Sequence, residues 1–200
     1  MFDRIALKLT KPAVDAIAGR LHKFGFTADQ LTLTAFGLGM ASALLIALEH
    51  SHFAIIPLLA GRLLDGLDGA LARLSLATDR GAFLDISLDF LFYASVPLAF
   101  ATVDPLAAAV LLAAFVGTGT SFLAYAIIAE KRGEKSTTYP SKSFYYLGGL
   151  TEGTETITCF VLMCLWPQHF ALFAYIYAAM CLMTTATRLV AGWQKFATKN

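Results

Sequence analysis

Residues 65–89 read DGLDGALARLSLATDRGAFLDISLD, and they join two apolar segments, 53–73 and 81–101, through a short polar turn at Thr78-Asp79-Arg80. Asp65, Asp68, Asp85 and Asp89 therefore fall inside segments otherwise suited to hydrocarbon. An unpaired carboxylate at the centre of a bilayer helix costs about 2.5–3.5 kcal/mol on insertion scales, so four together cost on the order of 10 kcal/mol or more. The spacing is i, i+3 on the first segment and i, i+4 on the second, which puts each pair along one helix face. Two antiparallel helices that share this turn have matched depths. Asp65 and Asp89 each lie eight residues from the turn end of their helix, Arg73 and Gly81 respectively, which is roughly 12 Å at 1.5 Å per residue. Asp68 and Asp85 lie closer to the turn. The four carboxylates are thus expected to converge on one small volume near one end of a helical bundle.

Converging acidic groups need cations. Hard oxygen ligands without His or Cys point to Mg²⁺, Mn²⁺ or Ca²⁺ rather than zinc or copper. Two such ions about 4 Å apart, with open positions, form the arrangement that clamps a phosphate between an attacking and a leaving oxygen. Phosphoryl-type chemistry is the expectation. Gly69 and Gly81 remove side chains beside the acids and let a bulky ligand approach the backbone; Ala72 is similarly small, and Arg73 offers a fork for phosphate. The purely structural alternative is a set of ion pairs with Arg62, Arg73, Arg80 or Arg188, but Arg73 and Arg80 belong to the aqueous border and two arginines do not neutralise four acids.

The rest of the chain supplies the context. Of 200 residues 58% are apolar and 14% charged, with a mean hydropathy of +0.66, which excludes an ordinary soluble globule. A net charge of +1 excludes the strongly basic balance of a nucleic-acid binder. Cys159, Cys164 and Cys181 all lie in apolar stretches and match no metal-ligand spacing, so they read as small buried hydrophobes. Six segments are expected to span the membrane: 31–48, 53–73, 81–101, 106–129, 144–166 and 170–192. Lys and Arg collect in the N-terminal arm, the second-to-third connection (with Arg73), the fourth-to-fifth connection and the C-terminal end (with Arg188), and of the 15 only Arg62 is then left inside a span. Both termini are therefore expected in the cytoplasm. Residues 1–26 carry charge throughout and lack an apolar core of signal-peptide length. Ile5, Leu9, Ala13, Ile17 and Leu21 recur there near helical spacing, which suits an amphipathic helix lying in the cytoplasmic interface. The alternative is a cytosolic helix packed on the loops. The fold class is an all-α integral membrane protein, with residues 1–200 as one domain and 31–192 as the six-helix bundle.

DGLDGALAR, seven residues, then GAFLDISLD resembles the signature of the CDP-alcohol phosphotransferases, D-x-x-D-G-x-x-A-R, a spacer, G-x-x-x-D-x-x-x-D. All four aspartates, both glycines and the Ala-Arg pair are present. Two departures occur: the spacer has seven residues where eight are expected, and Ala28-Asp29 in FTADQLTLTAFGLG stands where the pattern has Pro-Asn. The resemblance implies transfer of a phosphatidyl or phospho-alcohol group from a CDP-alcohol, such as CDP-diacylglycerol, to an alcohol acceptor, with release of CMP, in phospholipid biosynthesis. It implies that Asp65, Asp68, Asp85 and Asp89 hold two divalent cations, Mg²⁺ or Mn²⁺, that Asp68, Gly69, Ala72, Arg73 and Gly81 contact the CDP moiety, and that Asp89 is the general base on the acceptor hydroxyl. It also implies a homodimer. FLDISLDFLFY and KSFYYLGGLTEGTET look like a bacterial inner-membrane branch of this family, with the active site facing the cytoplasm.

The acceptor is not named by these residues. Glu152 and Glu155, at i, i+3 in the fifth expected span, lie level with the deeper aspartates and suit an acceptor with hydroxyls or an amine, since a phosphorylated acceptor would want a basic cluster. Lys142, at the cytoplasmic end of that span, is a further acceptor candidate. The glutamates equally suit internal pairs with Arg62 and Arg188. From another class, a cation- or proton-coupled transporter would also place carboxylates in the membrane. It would spread polar residues across the bilayer depth, whereas Leu44-Leu45-Ile46 and Val110-Leu111-Leu112 are apolar.

Overall fold

The computed structural model describes residues 3–75, 77–133 and 149–197, the first seven of them as backbone only. Among these residues every regular element is helical. The helices are α1 (Asp3–Lys23), α2 (Ala28–Ala47), α3 (Ser51–Leu74), α4 (Asp79–Ala99), α5 (Pro105–Lys131), α6 (Gly153–Leu165) and α7 (Phe170–Phe196), with short 3₁₀ turns at Phe100–Thr102 and Pro167–His169.

Local chemistry fixes the helix starts. Thr27 and Gln30 form a reciprocal capping box at α2, the Thr27 hydroxyl accepting from the Gln30 N–H at 3.3 Å and the Gln30 side chain accepting from the Thr27 N–H at 3.1 Å. Thr78 caps α4 by accepting from the Gly81 N–H at 3.0 Å. Asp104 caps α5 by accepting from the Ala107 N–H at 2.9 Å, with Pro105 at the first helical position. Gly25, at φ +81°, turns the chain from α1 toward α2.

Four helical segments are long and apolar enough to cross a membrane: Ala28–Ala47, Asp79–Thr102, Pro105–Lys131 and Pro167–Phe196. Ile56, Phe83, Leu106, Val116, Ile127 and Trp193 are each more than 60% exposed, an apolar outer surface that water would not tolerate and hydrocarbon does. The chain is an integral membrane protein. α3 has the length of a span at 24 residues, but Arg62, Asp65, Asp68 and Arg73 interrupt its apolar run. The fifth expected span, 144–166, differs more. Its first five residues lie outside the described part, Gly149–Glu152 is not helical, and α6 has only 13 residues. That is roughly 20 Å of helix, short of the hydrocarbon thickness.

The bundle is held by close helix crossings. α2 packs on α3 and α4, and α5 packs on α7. A Cβ at Gly61 would stand 2.9 Å from the Ala35 carbonyl oxygen, so only glycine lets α3 lie this close to α2. The core joins Leu58, Phe92, Val96, Leu111, Phe160, Met163 and Tyr177 across five helices. A smaller cluster of Leu31, Leu67 and Leu71 receives Val14 and Leu21 of α1, which places α1 against the same end of α3 that carries the aspartates. Asp15 of α1 accepts from Lys11 at 2.6 Å and lies 3.8 Å from Arg73; the Lys11 hydrogen bond holds its carboxyl below the ordinary carboxylate range.

Candidate active site

α3 and α4 approach the site from opposite directions, and their facing turns carry all four aspartates. Carboxylate oxygens of Asp65, Asp68 and Asp85 lie within 4.8 Å of one another. One Mg²⁺ or Mn²⁺ with three such ligands spreads them by at most roughly 4.2 Å, so the cluster fits a hard divalent ion after closing by about half an ångström. Asp68 is 5% exposed and accepts from the Thr32 hydroxyl of α2 at 2.6 Å, which fixes its carboxylate. Asp85 stands at the exposed rim.

Asp89 is engaged elsewhere. Nη1 of Arg62 donates to Asp89 at 2.5 Å and to Asp65 at 3.3 Å, joining α3 to α4 through one guanidinium nitrogen. The Arg62 guanidinium also lies 4.2 Å over the Phe92 ring and 5.7 Å from that of Tyr93, a packing that holds it in place. The four aspartates therefore form a chain, with Asp65 shared between the three-carboxylate cluster and the Arg62 pair. The expected pairing of Arg62 with Glu152 or Glu155 is not what engages Arg62: its carboxylate partners are Asp65 and Asp89.

At the border of the site, Gly69 has open space on its Cβ side, with only the Arg73 guanidinium 3.8 Å away. A Cβ at Gly81 would meet Asp29 Oδ1 at 3.1 Å and the Thr78 hydroxyl at 3.2 Å. Asp29 also accepts from Arg80 at 2.5 Å. The residue that departs from the family's Pro-Asn is thus tied to the turn that carries the shortened spacer. Ala72 is half-buried and Arg73 exposed on the same last turns of α3.

A cavity of about 620 Å³ opens from the aspartates into the bundle. Asp65, Asp85 and Asp89 line one end, and Thr151, Glu152, Thr156, Tyr177 and Arg188 line another part. Phe90, Leu112, Phe115 and Leu123 provide apolar walls. Glu152 and Arg188 are each 7% exposed, so two charged side chains are held almost fully buried around this space. Glu152 is the N-cap residue of α6 and accepts from the Gly149 N–H at 3.2 Å. Glu155 is in the first turn of α6 and is not among the residues lining the cavity. This corrects the expected mid-helix i, i+3 pair: the chain breaks at 149–152, and both acids sit at a helix start, where the macrodipole favours negative charge. Arg188 donates to the Thr118 carbonyl at 3.0 Å and lies 5.5 Å from the Phe122 ring. Lys142 lies outside the described residues.

Sequence reasoning missed two partners, Thr32 and Asp29. Thr32 carries no motif, and its bond to Asp68 spans 36 residues. Asp29 was marked only as a departure. Arg62 belongs to the ion-pair alternative raised from the sequence, and the structure bears out its pairing with Asp65 and Asp89, which depends on how α3 and α4 pack.

Known proteins resemble this chain in sequence and in fold. The family model for CDP-alcohol phosphatidyltransferase matches residues 26–197. Over 197 residues the chain is 52% identical to the "Inner membrane protein YnjF" of Escherichia coli K12, covering 96% of each protein. It is 35% identical over 97 residues to the archaetidylinositol phosphate synthase of Pyrococcus horikoshii, covering 48% of this chain and 51% of that protein. The fold matches the crystal structure of Mycobacterium tuberculosis phosphatidylinositol phosphate synthase (PgsA1) with CDP-DAG bound at a TM-score of 0.70 and 23% identity, over 90% of this chain and 93% of that one. It matches the same enzyme in complex with manganese and citrate at 0.69 and 23%, over 90% and 88%.

Proposed function

The chain belongs to the CDP-alcohol phosphatidyltransferase family, and from that premise we propose that it transfers a phosphatidyl or phospho-alcohol group from a CDP-alcohol, CDP-diacylglycerol being the first candidate, to an alcohol acceptor with release of CMP. The observation that carries this reading is the cluster of Asp65, Asp68 and Asp85 oxygens within 4.8 Å, with Asp65 and Asp85 also lining a cavity among apolar helices. Family membership favours the enzyme over ion transport.

Asp65, Asp68, Asp85 and Asp89 would hold two divalent cations, Mg²⁺ or Mn²⁺. Such ions, when bound, neutralise the diphosphate and stabilise charge on the leaving CMP. Asp68, Gly69, Ala72, Arg73 and Gly81 form the CDP site: the open side of Gly69 lets the nucleotide approach the backbone, and Arg73, at the end of α3, offers two donors to a phosphate. Asp89 faces the cavity and is the general base: its carboxylate takes the proton of the acceptor hydroxyl as that oxygen attacks the phosphorus distal to cytidine. The acceptor occupies the cavity between Asp89 and Glu152. Glu152 and Arg188 contribute opposite charges there, and Thr151, Thr156 and Tyr177 add hydroxyls, which suits a small acceptor rich in hydroxyl or amino groups.

The membrane reading keeps six spans, with α3 and the α6 segment crossing as part of the bundle, α1 in the interface, both termini in the cytoplasm and the active site open to it. The 52% identity to a protein named as an inner membrane protein supports a bacterial inner-membrane location. Residues 1–200 act as one domain, and a homodimer is the expected assembly, which cross-linking in native membranes checks. The test of function is CMP release from CDP-diacylglycerol by the purified protein across a panel of acceptors, with lipid profiling of membranes with and without its expression. No metal-dependent CMP release with any CDP-alcohol would overturn the reading.

A further inference from the structure

Arg62 stands where a cation is wanted. Its Nη1 lies between Asp65 and Asp89, at 3.3 and 2.5 Å, bridging carboxylates from two helices. Asp65, Asp68 and Asp85 form a separate cluster, and Asp65 belongs to both. A guanidinium does not lose its proton in a protein, so the charge at this position is permanent. Its side chain is 13% exposed and stacks over Phe92, whose own ring is fully buried. Phe92 is held in turn by α2, where a Cβ at Gly39 would come within 2.5 Å of its ring. The guanidinium is thus built into the core on one side and faces two prospective metal ligands on the other.

We infer that Arg62 is a positioning residue that occupies the second cation position and competes for Asp89, so that the two metal ions bind in sequence and unequally. The first ion enters among Asp65, Asp68 and Asp85 without displacing a partner of Arg62 other than Asp65, which has a second oxygen to offer. A second ion needs Asp89, and Asp89 is bonded to Arg62. Because Arg62 does not neutralise itself by deprotonation, the second ion gains Asp89 only as the guanidinium withdraws along the Phe92 face. A permanent positive charge within a few ångströms of an incoming divalent ion also opposes it directly. The arrangement keeps the base paired until the site is fully loaded. A diphosphate, which adds negative charge beside the aspartates, would offset the repulsion, so donor and second ion are expected to bind together.

This inference rests on the metal reading proposed above, and the two fail differently. The experiment is a Mn²⁺ titration of the purified full chain in nanodiscs, followed by the electron paramagnetic resonance signal of free Mn²⁺. The wild type should bind one ion tightly and a second at least about tenfold more weakly. Arg62→Met should tighten the second ion by about tenfold or more, because it removes both the competitor and the repulsion. Arg62→Lys keeps a charge but not the fork that reaches two carboxylates while stacking, so its second ion should fall between the two. A merely structural arginine would lower stability and leave or weaken metal affinity, and would not tighten it. Should Arg62→Met fail to fold, Arg62→Lys decides alone: a second-ion affinity equal to that of the wild type overturns the inference. Two equal ions in the wild type, or identical isotherms in all variants, also overturn it while leaving the metal reading intact. No Mn²⁺ bound to any of the proteins overturns both.

Discussion

Arg62 and Asp89, 27 residues apart and on antiparallel helices, share an ion pair of 2.5 Å at the centre of the proposed site. The pair links the residue proposed as base to a cation that the aromatic core holds from behind. It makes stability and catalysis depend on the same carboxylate.

Asp89→Asn keeps the size of the side chain but removes the proton acceptor. CMP release should fall by about 10²–10⁴-fold, and binding of the CDP-alcohol should weaken to the extent that it depends on the second ion held by Asp89. The same substitution leaves Arg62 with Asp65 as its carboxylate partner, so the melting temperature should also drop, by an amount corresponding to about 1–3 kcal/mol for a partly buried pair. A variant with a near-normal rate would move the base to another residue.

Chelation tests the cluster. With EDTA, CMP release should fall to background and return on addition of Mg²⁺ or Mn²⁺, because converging carboxylates repel a diphosphate unless cations stand between them. Asp85→Asn, at the exposed rim, should weaken metal binding with little effect on folding. Full turnover without divalent ions would remove the aspartates from this role.

Thr32 is one hydrogen bond away from a proposed metal ligand, Asp68. Thr32→Val deletes the hydroxyl that donates to Asp68 at 2.6 Å, and loss of such a support costs about 10–100-fold in metal affinity or activity. The change in stability should be near 1 kcal/mol, since one buried hydrogen bond is lost. Metal affinity measured by Mn²⁺ titration separates these two effects, and an unchanged affinity would show that Asp68 needs no such support.

Much of the architecture was legible because the sequence punctuates it. The capping residues Thr27, Thr78 and Asp104 stand where α2, α4 and α5 begin, and the i, i+3 and i, i+4 aspartates fix which faces of α3 and α4 meet. The start of α6 was not legible. Residues 144–166 read as one span by the apolar runs at their two ends, and the polar stretch Gly149-Leu150-Thr151-Glu152, which stands outside the helix just before α6 begins, was absorbed into it. The neighbours of the aspartates were also hidden. Thr32 reaches Asp68, Arg62 reaches Asp89 and Asp29 reaches Arg80 from neighbouring helices, and such contacts follow from packing rather than from spacing along the chain.

The crossing itself makes a prediction. Gly61→Ala would push a Cβ to 2.9 Å from the backbone oxygen of Ala35, and overpacking of this kind costs about 1–3 kcal/mol. Gly66→Ala meets nothing within 4 Å and should be neutral or stabilising by about 0.5–1 kcal/mol, as alanine is the better helix former. Thermal unfolding in detergent compares the two, and equal melting temperatures would deny that the α2–α3 approach limits stability.

Glu152 and Glu155 separate acceptor recognition from helix support. Glu152 lines the cavity with Asp89 and Arg188, whereas Glu155 is one turn on and outside the lining. Glu152→Gln should raise the acceptor KM by about tenfold or more, corresponding to loss of a charged hydrogen bond, with affinity for the CDP-alcohol nearly unchanged. Glu155→Gln should leave acceptor kinetics alone and cost about 0.3–1 kcal/mol of stability, the value of an acidic group in the first turn of a helix. Arg188→Met adds the control. If Glu152 serves only to neutralise Arg188, removing both charges should restore the stability that either single change loses, and the acceptor KM should not move in any of the three proteins. If Glu152 binds the acceptor, the double variant should remain as defective in KM as Glu152→Gln, because neutralising the arginine does not replace the carboxylate that the acceptor's hydroxyl or amino group donates to.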